Sequence, residues 1–204
     1  MNKNVYRNFY FIKESVFEFF QTNKKYLFWS ILAMVLGLSL GVCVGIKNAS
    51  CYSLFNLSDK IFLSYLTNRS FTYLFLRNVL YFTLWIVIIL FVNNFSFLTF
   101  TNYIVFAYLS FKSILNAIII MQMLNLSGIL FAVLCYIPFW ICAIFMLITI
   151  FMICKSSGNS CGCSNKLTTY PIKALALCFV LMIFLILFYS IITSIVIKFI
   201  AIIV

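Results

Sequence analysis

From position 26 to 46 the chain reads "YLFWSILAMVLGLSLGVCVGI", without one charged side chain. Such a run can cross a hydrocarbon core about 30 Å thick, because a helix rises about 1.5 Å per residue and bonds every amide internally. Comparable apolar runs cover 79–97, 98–126, 128–153 and 174–197. Strict alternation of apolar and polar residues is absent from them, which argues against a transmembrane β-barrel. The pattern therefore predicts an all-α fold: a polytopic bundle of about five transmembrane helices.

Two further stretches have helical periodicity with one polar side. In "VYRNFYFIKESVFEFFQTNKK", Phe9, Ile12, Val16, Phe19 and Phe20 recur at intervals of three and four, apart from Lys13, Glu14, Glu18 and Gln21. In "NLSDKIFLSYL", Ser58 can cap a helix whose apolar face carries Ile61, Phe62 and Tyr65. Both read as amphipathic helices on a membrane surface, with docking on a partner as the alternative. The expected organisation is an N-terminal segment 1–25 and a single transmembrane domain 26–204. Within that domain an outer amphipathic segment occupies 47–77, and a connector rich in Cys, Gly, Ser and Asn occupies 154–173.

Composition fixes the solvent. Hydrophobic residues make up 66% of the 204 and charged residues 8%, with a mean hydropathy of +1.17, more apolar surface than one soluble core can hide. The first run is too long for the apolar part of a cleaved signal peptide, and 25 residues precede it. The net charge of +11 needs no nucleic acid, since basic residues frame the spans and suit anionic lipid. Lys3, Arg7, Lys13, Lys24, Lys25, Lys155, Lys166 and Lys173 fall on one face of a five-span arrangement. Lys47, Lys60, Arg69, Arg77 and Lys198 fall on the other. That imbalance puts the N-terminus in the cytoplasm.

Catalysis is tested by what is missing. The sequence contains no histidine, and its three acids, Glu14, Glu18 and Asp59, lie outside the apolar runs. Serine–histidine or cysteine–histidine chemistry, a carboxylate pair and a membrane-embedded acid for proton coupling are all absent. The expectation is a protein that is not an enzyme and needs no cofactor. Cys154, Cys161 and Cys163 could help hold a soft metal, but no fourth ligand is evident nearby, so a plain connector is the simpler reading.

Two features point to helix association. Gly37, Gly41 and Gly45 recur every four residues, leaving one face of the first helix bare for close backbone approach. The groove could serve packing within the chain, self-association as a homo-oligomer, or a partner helix. In "YLSFKSILNAIII", Asn102, Lys112, Ser113 and Asn116 fall within an arc of about 100°, and Ser113 and Ala117 repeat the small-x-x-x-small spacing. Lys112 is the outlier there, and it marks a substrate path, buried structural glue or a re-entrant turn.

The order of these features resembles the stage II sporulation protein M-like membrane proteins. The resemblance is carried by a basic-flanked first span with a G-x-x-x-G face, an outer amphipathic helix and entry through "RNVLYFTLW". It continues with a basic residue before small-x-x-x-small and "LNLSGILFAVLCYIP" with Gly128 and Pro138. The family's usual glycines are replaced by Ser113 and Ala117, and Phe139 and Trp140 stand where polar residues are common. The resemblance implies a membrane anchor for endospore engulfment in bacteria, holding cell-wall hydrolase partners at the membrane. A permease subunit beside an ATPase, or a small channel, is the alternative.

Overall fold

The computed structural model describes residues 17–47, 71–93, 95–158 and 169–203. It is all-α, and among the described residues there are no strands. Five helices run in order: α1 (Lys24–Lys47), α2 (Phe71–Asn93), α3 (Thr99–Phe131), α4 (Ile137–Gly158) and α5 (Thr169–Ile203). Five segments are long and apolar enough to cross a membrane: Lys24–Lys47, Phe71–Asn93, Thr99–Gln122, Gly128–Ser156 and Ile172–Val196. These are the dimensions of an integral membrane protein.

Contacts along the helices give the topology. Gly37 lies against Ala107 and Gly45 against Ile118, so α1 and α3 run parallel. A short 3₁₀ turn, Ser96–Leu98, reverses the chain between α2 and α3, and Asn93 meets Asn102 across that turn. Phe151 packs its ring on both Tyr103 and Phe106, while Lys155 reaches Thr99, so α4 returns antiparallel to α3. Tyr189 stacks on Phe139 at 3.8 Å, which sets α5 antiparallel to α4. The direction of travel thus alternates along the bundle.

Helix α3 lies at the centre. At about 100° per residue, Ala107, Phe111, Ile114 and Ile118 share the face that meets α1. Asn102, Phe106, Leu109, Ser113, Ala117 and Ile120 form a second face, and all six are buried. Tyr108 and Lys112 lie on a third side, toward Trp85 and Tyr81 of α2. The outward surface is greasy, as lipid requires: Leu36, Leu40, Leu80, Leu84, Phe184 and Phe188 are each more than half exposed.

A π segment, Ala132–Tyr136, joins α3 to α4, and the Ile137 N–H donates to the Ala132 carbonyl five residues back. Pro138 follows directly. Having no N–H, it cannot complete the α-helical ladder, and the wider turn just before it absorbs the mismatch.

The sequence boundaries need three corrections. The second span begins at Phe71, eight residues before the expected start, and ends at Asn93. Residues 71–77, expected in the outer amphipathic segment, are therefore the first two turns of α2, and Arg77 stands inside the span. The run "FTYLFLR" is apolar enough to extend the helix, and its one arginine, near the helix end, does not stop it. The connector expected over 154–173 is helical at both ends, since α4 continues to Gly158 and α5 starts at Thr169. Residues 17–22 are helical and lead into α1 through buried Asn23, and Phe19 and Phe20 pack against the core. The rest of the N-terminal amphipathic helix and the "NLSDKIFLSYL" helix lie outside the described residues.

Candidate functional site

Three places within the bundle gather small or polar side chains. The first is the glycine seam. Gly37, Gly41 and Gly45 are buried in α1, and the only other buried residue of that helix is Ser30. A Cβ at Gly37 would run into the Ala107 carbonyl oxygen, with Ala107 C and Cα at 2.8 and 2.9 Å. At Gly41 it would strike an Ile114 methyl and come within 2.8 Å of the Phe111 carbonyl oxygen. At Gly45 it would meet the Ile118 Cδ1 at 2.6 Å, the movable end of a side chain. The close approach is therefore backbone to backbone at one end and loosens toward the other. Glycine suits this because little hydrophobic drive exists between helices in lipid, leaving van der Waals contact to hold them.

Ser113 and Ala117 are buried, but they lie roughly a third of a turn away from the face that meets α1. The Ser113 hydroxyl donates to the Ser110 carbonyl at 2.9 Å and Ser110 to Phe106 at 2.8 Å, so both hydroxyls are satisfied within α3. The two small-residue motifs thus do not face each other. Gly128 is buried and its carbonyl accepts from the Ala132 N–H at the start of the π segment; Pro138 is exposed.

The second place surrounds Lys112. Helix α3 is unbroken there, which excludes the re-entrant turn. The ammonium lies 5.2 Å from the centroid of the Tyr81 ring on α2. Trp85, one turn further along α2, is 6.0 Å from Tyr108 on α3 and 6.0 Å from Tyr81. The Tyr81 hydroxyl and the Trp85 indole N–H are buried beside each other. Asn116, half-buried, follows Lys112 by one helical turn. A lysine at a helix centre costs about 2.5–3.5 kcal/mol, whereas a desolvated cation over a ring recovers about 2 kcal/mol. The ring offsets much of the cost and leaves a remainder.

The third place was not expected from sequence. Where α2 ends, α3 begins and α4 ends, the Asn102 amide donates to the Asn93 side-chain oxygen at 3.3 Å, and Lys155 Nζ donates to Thr99 Oγ1 at 2.6 Å. Asn102 is wholly buried, and its own oxygen is left without a hydrogen bond. Lys155 had been placed in the connector; it instead occupies the last turn of α4, where a cation complements the helix dipole. The sequence singles out Asn102 alone, as part of the polar arc with Lys112; the further signal is the polar "VNNFSF" closing an apolar run.

Among the described residues no group of three or more histidine, cysteine or acidic side chains could hold a metal ion. Cys43 and Cys142 are exposed, Cys135 and Cys154 partly buried and Cys178 buried. Cys51, Cys161 and Cys163 lie outside the described residues. No protein-family model, curated protein or solved structure matches this chain.

Proposed function

We propose that this chain is a non-catalytic membrane scaffold that anchors partner proteins through helix faces. The observation that carries the reading is the solid interior. Phe82, Phe106, Phe151, Leu109, Ile144, Leu147 and Ile148 are each less than 2% exposed and fill the space where a solute path would run. Tyr81, Phe82, Phe139 and Trp140 lock together in edge-to-face and tilted ring pairs, with centroids 5.4–5.9 Å apart between α2 and α4. Such a core suits a rigid holder better than a carrier that must open to both sides.

The specific form of the proposal rests on the family resemblance. The scaffold belongs in the bacterial cytoplasmic membrane with a cytoplasmic N-terminus, and during engulfment of the forespore it recruits peptidoglycan-degrading enzymes. The excess of basic residues before the first span and between the fourth and fifth spans in the sequence supports that orientation. Lys112 gives the permease alternative its foothold, a cation near the middle of a span.

Crosslinked capture of the tagged chain from membranes of sporulating cells tests this directly. Enrichment of cell-wall hydrolases is the expected result. Enrichment of an ATPase would favour the permease subunit, and recovery of the chain alone would overturn the scaffold.

A further inference from the structure

Lys112 lies too deep for solvent or headgroups to neutralise it. It stands thirteen residues from Thr99 and ten from Gln122, the ends of its span, or about 20 Å and about 15 Å of helix. Its neighbours supply rings, donors and a second cation rather than a counter-charge: the Tyr81 face, the buried Tyr81 hydroxyl and Trp85 N–H, and Arg77 one turn before Tyr81 on α2. The edge of α3 beside it is open, with Ile104 53% and Tyr108 47% exposed, and Leu80 and Leu84 of α2 flank it at 62% and 58%. An uncompensated cation on a lipid-facing edge calls for an anion at the same depth.

We infer that this edge of α2 and α3 receives the transmembrane helix of a different protein carrying one aspartate or glutamate near mid-membrane, whose carboxylate pairs with Lys112. The inference rests on the scaffold reading and names the chemistry of the partner. A second copy of the chain does not fit, because none of its three acids, Glu14, Glu18 and Asp59, belongs to the sequence of any of the five spans. A lipid phosphate does not fit either, since it sits beyond the hydrocarbon boundary while Lys112 lies well inside it. The partner's acid would gain what a lone intramembrane carboxylate lacks, an opposite charge and a set of hydrogen-bond donors.

The test uses the whole protein in phosphatidylcholine vesicles and three single-span leucine/alanine peptides, identical except for Asp, Asn or Leu at the centre. Binding is read by energy transfer between labels. The Asp peptide should bind about tenfold more tightly than the Leu peptide. Lys112→Arg should keep that preference and Lys112→Met should abolish it, with circular dichroism showing that both variants stay folded. If Lys112→Met fails to fold, the three peptides against the wild-type protein still decide. Equal binding of all three overturns the inference, as does a preference for Asp that survives Lys112→Met. Loss of the preference when phosphatidylglycerol replaces phosphatidylcholine overturns it too, because lipid would then be the occupant. The readout needs no cellular partner. Failed hydrolase capture with intact Asp binding would sink only the hydrolase reading, and equal peptide binding would sink only this one.

Discussion

Helix α1 and the cluster built by α2, α4 and α5 hold to the rest of the molecule by opposite means. Along α1 the closest contact consists of missing side chains: three glycines let two backbones approach, Tyr26, Leu27 and Met34 pack against the core, and most of the remaining side chains are exposed. In the aromatic cluster the contact consists of bulk, with Phe82 touching Phe139 and Trp140 and Tyr189 stacked on Phe139. Both substitute for the weak hydrophobic drive in a bilayer with dispersion at short range. The difference predicts an asymmetry. Adding atoms should break the seam, while removing atoms should break the cluster.

The largest effect belongs to the cluster. Phe82→Ala removes a ring that is 1% exposed and should destabilise the bundle by about 3–5 kcal/mol, read as a fall in thermal midpoint in detergent. Phe82→Leu should cost much less. Equal costs would show that the ring's volume is not what holds α2 to α4.

Next comes the seam, graded along its length. Gly37→Ala meets backbone that cannot step aside and should cost about 3 kcal/mol; Gly41→Ala meets both a methyl and a carbonyl and should cost about 2 kcal/mol. Gly45→Ala presses only on the Ile118 side-chain end and should cost about 1 kcal/mol or less. The order Gly37, Gly41, Gly45 is the claim, and a reversed order would break it. A crosslink between α1 and α3 should fade in the same order while one between α2 and α4 persists.

The smallest effect lies at the helix ends. Lys155→Met loses a partly buried charged hydrogen bond to Thr99 and should cost about 1 kcal/mol, with no selectivity between seam and cluster. Asn93→Leu takes away the acceptor of the wholly buried Asn102 amide and should also cost about 1 kcal/mol. A large loss in either variant would make this corner a third structural anchor in its own right.

Much of this was legible in the sequence, and the reason is the solvent. Bilayer thickness translates directly into run length, so five spans follow from counting apolar residues, and the bare stripe of α1 follows from glycine spacing alone. What the stripe meets is not encoded locally. Ala107, Phe111, Ile114 and Ile118 carry no small-residue signature, and the small pair that does, Ser113 and Ala117, turns to another side of α3. Lys112 stood out as an anomaly, but its place over Tyr81 depends on how α2 is aligned against α3. The start of α2 was missed because Arg77 was read as an interface marker when its neighbours continue the helix.

The parallel pairing of α1 with α3 also has a consequence in time. Gly37 and the Ala107 it rests against are seventy residues apart in the chain. At a synthesis rate of about 5–20 residues per second, α1 enters the membrane about 4–14 s before its partner exists. Through that interval its bare stripe is open to any neighbouring helix, including the α1 of another chain emerging nearby. The order of synthesis therefore poses a sorting problem that the finished bundle no longer displays, and crowding of ribosomes at one membrane site should raise the share of chains caught in α1–α1 pairs.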